Sequence, residues 1–312
     1  MRVLNIGGTG FIGSVTTRKL LEKGAEVICF DLVPSMHRMV GLEVEIIPGD
    51  VTDFGMLASV MRERRIDTVI NFAAFLSAQT EKEPYRAVQV NGLGMSNIFE
   101  AARLFDVGRV IYMSSIGAYS NIATAPGTPL REDMPLPAGN TLYACLKQLN
   151  EYVGGLYHAR WGMDTIAVRP TSVLGLGRTT GPRAWLSNLI ESPILGRPCR
   201  IPLPRTAGVS WVYVDDLAEI IARLVCVEKP AYSVYNAAAG TTTAGEIADI
   251  VRGIYPGAHF DFDDAHTADP HFAQVYDNSR TVKDLKMTYI SLQEALQRMC
   301  KIAEAKLSQA GR

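Results

Sequence analysis

The sequence predicts an α/β protein: a doubly wound parallel sheet joined to a smaller α/β lobe at its C-terminal end. Three observations carry this. Apolar runs alternate with helix-patterned segments through about the first 170 residues. The first of these runs, Val3-Leu4-Asn5-Ile6, leads directly into a glycine cluster. After Pro170 the rhythm breaks into shorter elements crowded with glycine and proline.

The elements follow in order. Strands are expected at residues 2–6, 27–31, 44–48, 68–72, 109–114 and 165–169. Most are continuous apolar runs, as expected for parallel strands covered on both faces. Helices are expected at 11–23, 54–64, 84–105 and 143–160, which gives the βαβ alternation of a doubly wound sheet. In the second half, Thr243-Ala244-Gly245-Glu246 and Ser291-Leu292-Gln293-Glu294 are capping boxes that start two helices. Residues 1–170 read as one domain and 171–312 as a smaller lobe packed on the sheet, with chain crossings between them.

Bulk properties exclude several classes. The 312 residues exceed the usual single domain, and a hydrophobic share of 47% suffices for a large core. The formal net charge of −1 is mixed along the chain, so neither nucleic acid nor an anionic membrane is an expected partner. Met1-Arg2 leads straight into the first strand, and no apolar run reaches the length of a membrane span, so no secretory signal or membrane anchor is expected. Cys29, Cys145, Cys199, Cys226 and Cys300 are scattered, with no CxxC pair, which fits a reduced cytoplasmic compartment. His37, His158, His259, His266 and His271 also lack metal-ligand spacing, and no metal is expected.

The glycine cluster carries the first chemistry. Gly7 and Gly10 permit a tight turn and close approach of a phosphate to the main chain, and Gly13 lets the following helix pack on the strand. The helix N-terminus offers free N–H groups and a partial positive charge to a pyrophosphate. The second strand ends in Asp31, the acidic residue expected to hold a ribose 2′-hydroxyl. The combination predicts a Rossmann-type dinucleotide site. Further on, Tyr143 and Lys147 are i and i+4 on one helical face, downstream of Ser114-Ser115. A lysine cation beside a phenol stabilises the phenolate, which can accept a proton from a substrate hydroxyl. Ser115 could hydrogen-bond the same substrate oxygen.

The pieces Gly7 to Gly13, Asp31, Gly49 to Asp53, Asn71 to Ala74, Val90-Asn91, Ser114-Ser115, Tyr143 to Lys147, Arg169-Pro170 and Tyr213 to Ala218 stand in this order. Together they resemble the extended short-chain dehydrogenase/reductases of the NAD-dependent epimerase/dehydratase type, over nearly the whole chain. The resemblance implies NAD as cofactor, since no basic residue directly follows Asp31. It implies a cofactor site of Gly7, Gly10, Phe11, Ile12, Asp31, Asp50, Val51, Phe72, Ala73, Ala74, Asn91, Tyr143, Lys147, Pro170 and Val173. It implies Ser115, Tyr143 and Lys147 as catalytic residues. Ser77, Ser115, Thr171, Ser172 and Arg178 are candidate substrate contacts. It also implies a homodimer through the helices at 84–105 and 143–160.

Departures from the family pattern narrow the function. Ile116 and Gly117 occupy the positions where family dehydratases carry an acidic pair, so elimination of water lacks its acid and base. Val209 stands where many nucleotide-sugar enzymes carry a phosphate-binding arginine, and Ser172 replaces a common asparagine. Arg205 and Arg178 are candidate replacements. The family resemblance points to a sugar or nucleotide-sugar epimerase. The lost arginine points to a dehydrogenase of a small non-nucleotide substrate, such as a sugar acid, free sugar or hydroxy amino acid. A non-catalytic NAD-binding sensor is a third reading, which an intact Ser115, Tyr143 and Lys147 set disfavours.

Overall fold

The computed structural model describes residues 1–122, 124, 125, 127–179, 181, 183–265 and 274–310. The chain opens with β1 (Arg2–Ile6), α1 (Phe11–Glu22), β2 (Glu26–Asp31), β3 (Glu45–Pro48), α2 (Phe54–Glu63) and β4 (Thr68–Asn71). Then come α3 (Ser77–Lys82), α4 (Pro84–Ala87), α5 (Gly94–Leu104), β5 (Arg109–Met113), α6 (Leu142–Trp161) and β6 (Asp164–Pro170). The second half carries β7 (Ser172–Leu174), α7 (Trp185–Ile194), β8 (Cys199–Ile201), β9 (Gly208–Tyr213), α8 (Val214–Cys226) and β10 (Val234–Ala237). It ends with β11 (Gly240–Thr243), α9 (Ala244–Ile254), β12 (Phe260–Phe262), α10 (Ser279–Asp284) and α11 (Leu292–Ala310).

The main sheet is seven-stranded and parallel throughout, in the order β10-β6-β5-β4-β1-β2-β3. Both faces are covered, which explains the uninterrupted apolar runs. Val3, Val27 and Cys29 point into a core shared with α1, α8 and the C-terminal lobe. Leu4, Ile28 and Phe30 point to the opposite core, closed by α2 and α5. Strand order reverses at β1, which has β2 on one side and β4 on the other. A crevice opens beyond the carboxyl ends of the strands at such a reversal, and ligands bind there.

The six expected strands are present to within a residue or so, and the seventh, β10, comes from the second half and pairs with β6. The expected helix 84–105 is divided. A π-helical turn, Val88–Leu93, separates α4 from α5. The short helix α3 precedes it. The remaining strands form two small sheets, β11-β9-β7 and β12-β8. Thr243 and Glu246 make the expected reciprocal capping box. Ser291 Oγ accepts from Glu294 N at 3.2 Å.

Candidate active site

A groove of about 990 Å³ runs along the carboxyl ends of the strands. Its floor at one end is the glycine loop. Gly7 has φ +72°, and a side chain there would press on the Ala73 backbone nitrogen at 3.0 Å. A Cβ at Gly13 would lie 2.1 Å from the Gly7 carbonyl, so α1 docks on the loop only with glycine there. Asn5, fully buried on β1, donates to the Gly13 carbonyl at 3.1 Å and to Thr17 Oγ1 at 2.8 Å, fixing the helix against the strand. No acidic residue occupies the first turn of α1, which leaves its N–H groups to an anion.

Asp31 lines the groove at the end of β2. One carboxylate oxygen accepts from Thr9 Oγ1 at 2.6 Å and from Thr9 N at 3.2 Å, which orients the group. The cradle and the oriented carboxylate fit a dinucleotide. Phe11, Ile12, Asp50, Val51, Phe72, Ala73, Ala74, Pro170 and Val173 line the same groove. Asn91 does not. It is buried in the π-helical turn and uses its amide on Phe75, accepting from N at 2.7 Å and donating to O at 2.9 Å. Asn91 thus holds the loop that forms the groove wall. Asn150 of α6 donates to the Asn91 carbonyl at 2.9 Å, tying the same turn to the next helix.

At the other end, Ser115, Tyr143 and Lys147 come together. Thr141 caps α6 by accepting from Ala144 N at 3.1 Å, which places Tyr143 in the first turn and Lys147 one turn on. Lys147 is buried. Its Nζ donates to the Met113 carbonyl at 2.6 Å and lies 5.3 Å from the Tyr143 ring centroid. Ser115 Oγ accepts from Gly117 N at 3.0 Å, so its own hydrogen is free to donate into the groove. A Cβ at Gly117 would lie 3.3 Å from Ser115 Oγ and 3.4 Å from Tyr143 Cε1. Serine and phenol therefore converge around a position that leaves little room for an acidic side chain. Ile116 is buried and carries no acid–base group.

Behind them, Glu151 of α6 accepts from Ser114 Oγ and forms a buried ion pair with Arg169, whose Nε donates at 2.8 Å. This group joins the ends of β5 and β6 to α6. Of the substrate candidates, Ser77, Thr171, Ser172 and Arg178 all line the groove. Thr171 Oγ1 is turned to the Ala237 carbonyl at 3.3 Å, whereas the buried Ser172 Oγ has no partner among the described residues. Arg178 is held at its backbone by Ser187 Oγ at 3.0 Å, and burial lowers the guanidinium pKa.

Arg205, the other candidate replacement for the lost arginine, lies elsewhere. It is paired with Asp249 and stacked 5.5 Å from the Phe262 ring. Val209 and Trp211 are buried in the core. Asp216 accepts from Ile290 N at 3.2 Å and links α8 to the segment before α11; burial raises its pKa to about 6. Among the described residues no cluster of His, Cys, Asp or Glu is placed to hold a metal, and His266 and His271 lie outside those residues. No described helix is long and apolar enough to cross a membrane.

Sequence reasoning did not single out Arg38. It lines the groove and donates to the Gly177 carbonyl at 2.7 Å, joining the β2–β3 loop to the segment after β7. Its only sequence signal is a basic residue downstream of Asp31.

Known proteins resemble this chain in sequence and in fold. The model of the NAD dependent epimerase/dehydratase family matches residues 3–238. The UDP-glucose 4-epimerase of Lactobacillus helveticus is 29% identical over 205 residues, which is 63% of this chain and 61% of that enzyme. A GalE-like L-threonine dehydrogenase from Cupriavidus necator superposes with a TM-score of 0.84 at 26% identity, over 96% of this chain and 99% of that one. A UDP-glucose 4-epimerase from Thermus thermophilus, in complex with NAD, shares the fold with a TM-score of 0.86 at 24% identity, over 97% and 99% of the two chains.

Proposed function

This chain belongs to the NAD-dependent epimerase/dehydratase family, and we propose from that premise that Ser115, Tyr143 and Lys147 oxidise a secondary alcohol on a sugar-like substrate. The observation that carries the reading is the convergence of Ser115 and Tyr143 around Gly117, with Lys147 behind the phenol. The substrate hydroxyl sits between Ser115 and Tyr143. Tyr143, as phenolate, accepts its proton. Ser115 donates a hydrogen bond to the same oxygen as it becomes a carbonyl. Lys147 keeps one N–H on Met113 and has two others, with its charge, to favour the phenolate. NAD, held by Gly7, Gly10, Phe11, Ile12 and Asp31, supplies the hydride acceptor.

Two net outcomes share this chemistry. Release of the ketone makes the protein a dehydrogenase, and reduction on the opposite face makes it an epimerase. The buried Val209 and the Arg205–Asp249 pair favour a compact, non-nucleotide substrate and net oxidation. The likeness to UDP-glucose 4-epimerases favours the second outcome. Residues 1–170 are assigned to cofactor binding and catalysis, and 171–312 to the substrate lobe, with β10 crossing back into the main sheet.

A homodimer is part of the proposal. Tyr85, Val88 and Leu93 on one helical segment, and Leu149, Tyr152 and Leu156 on α6, are exposed large apolar side chains on neighbouring helices. Such a face suits a second copy of the chain. Light scattering that gave a monomer at working concentration would contradict it.

The test of the reaction is Tyr143→Phe. Loss of one oxygen should abolish turnover and leave NAD affinity within a few-fold. Full activity in that variant refutes the mechanism. The NAD and NADH released on denaturing protein purified without added nucleotide separate the outcomes. Near-stoichiometric retained cofactor indicates an epimerase, and an empty protein that binds NAD reversibly indicates a dehydrogenase.

A further inference from the structure

Charge is unevenly distributed along the groove. Its acidic lining residues are Asp31 and Asp50, both at the glycine-loop end, where Arg38 also lies. Lys147 lies by Tyr143, and Arg86, Arg178 and Arg183 are the other basic lining residues. Lys147 has a structural partner in Met113. Arg178 has no comparable anchor. Among the described residues its guanidinium makes one long contact, Nη1 to the Val173 carbonyl at 3.4 Å, and its buried Nε has no partner. No carboxylate among the described residues forms an ion pair with it. Burial opposes its charge, and the group that favours the charge is Tyr143. The guanidinium also lies beside the loop after β4, because a Cβ at Gly181 would meet Leu76 Cδ1 at 2.8 Å and Arg178 Nη2 at 3.7 Å.

A sequestered guanidinium without an anion is unfavourable, and a ligand anion removes the penalty. The planar fork of arginine matches a carboxylate with two parallel hydrogen bonds. Resting on the hydride-transfer reading above, we infer that Arg178 is the substrate-anion receptor of this enzyme: it pairs with a carboxylate borne by the substrate a few carbons from the hydroxyl held by Ser115 and Tyr143. The substrate is then a hydroxy acid, such as a sugar acid or hydroxy amino acid. The same fork could bind a phosphate of a nucleotide sugar or of NAD itself. Its place beside Val173 and Leu76, rather than on the glycine loop, selects the carboxylate.

The experiment titrates NADH-loaded protein and follows nicotinamide fluorescence. The probes are D-glycerate, L-threonine and D-gluconate, each against a neutral counterpart (glycerol, threoninol, D-glucose), with UDP-glucose as the phosphate arm. At least one acid should bind tenfold or more tightly than its counterpart. Arg178→Gln should weaken that acid by roughly 30-fold while leaving NADH affinity and binding of the neutral probe unchanged. Arg178→Lys should recover part of the loss. Where the acid is turned over, the loss should fall on KM more than kcat. The inference is overturned if no acid outbinds its counterpart, if UDP-glucose alone depends on Arg178, or if Arg178→Gln weakens NADH instead. Tyr143→Phe keeps the two proposals apart. It should retain Arg178-dependent acid binding while losing turnover. Acid binding without turnover by the wild-type protein would sink the hydride-transfer reading and leave the anion subsite standing.

Discussion

Replacing Glu151 by glutamine tests what holds the two strand ends of the site together. The Glu151 side chain is 9% exposed and that of Arg169 is 3% exposed, so neither charge can be made good by water. Glu151 also accepts from Ser114, the neighbour of Ser115, and Arg169 precedes Pro170 of the groove wall. Glutamine keeps the volume but removes the negative charge, and its NH2 group meets either the guanidinium or the serine hydroxyl. Leaving a buried partner uncompensated costs about 3–5 kcal/mol. Unfolding entropy of about 2.1 cal/mol/K per residue, over 312 residues, converts the lower figure into a fall in Tm of about 5 °C. Urea and thermal unfolding of the wild type, Glu151→Gln and the apolar double variant Glu151→Leu/Arg169→Met form the assay. The double variant should recover most of the loss, because it removes both charges together. A Glu151→Gln protein within 0.5 kcal/mol of the wild type, or a double variant no better than the single, would refute the view that the buried ion pair fixes the strand ends.

Three other outcomes follow from the geometry. Asp31→Asn should raise NADP affinity about tenfold, by removing a carboxylate that repels a 2′-phosphate; fluorescence titration showing equal NAD and NADP affinity in the wild type would contradict the role of Asp31. Arg38→Ala should open the tie to Gly177 and speed NAD release by about tenfold, measured by competition in stopped flow; an unchanged off-rate would leave the tie without that effect. Asp216 has its carboxyl pKa raised from 3.8 to about 6, chiefly by burial. The folded state therefore binds its proton more tightly than the unfolded chain. The stability this contributes is complete below pH 3.8 and lost as pH rises through about 6. Asp216→Asn should then gain up to roughly 3 kcal/mol over the wild type at pH 7, with little gain at pH 4; equal gains at both pH values would exclude the linkage.

The parts of the structure that were legible in the sequence are those fixed by local rules. Val3, Leu4, Val27 and Ile28 are apolar because both sheet faces are covered, and that requirement is written residue by residue. Gly7 and Gly13 were legible because a Cβ at either position would meet backbone. Tyr143 and Lys147 were legible because one helical turn separates them. Strand β10 was not. It is four residues long, and its centre, Asn236, reads as a loop residue. Asn236 is tolerated there because its amide donates to the carbonyls of Leu130 and Asp277 and accepts from Tyr119. None of these partners is near it in sequence.

The same distinction separates Arg38 and Arg178 from Lys147. A lysine four residues after a tyrosine lies on the same helical face. Arg38 meets Gly177 across 139 residues of chain, and only the folded groove brings them together. For Arg178 the informative property is not a contact. It is a buried guanidinium nitrogen without a partner among the described residues, in the groove that Tyr143 also lines. A sequence records which groups are present. Which of them the fold leaves unsatisfied is a property of packing, and in this groove that property points to the chemistry of the missing ligand.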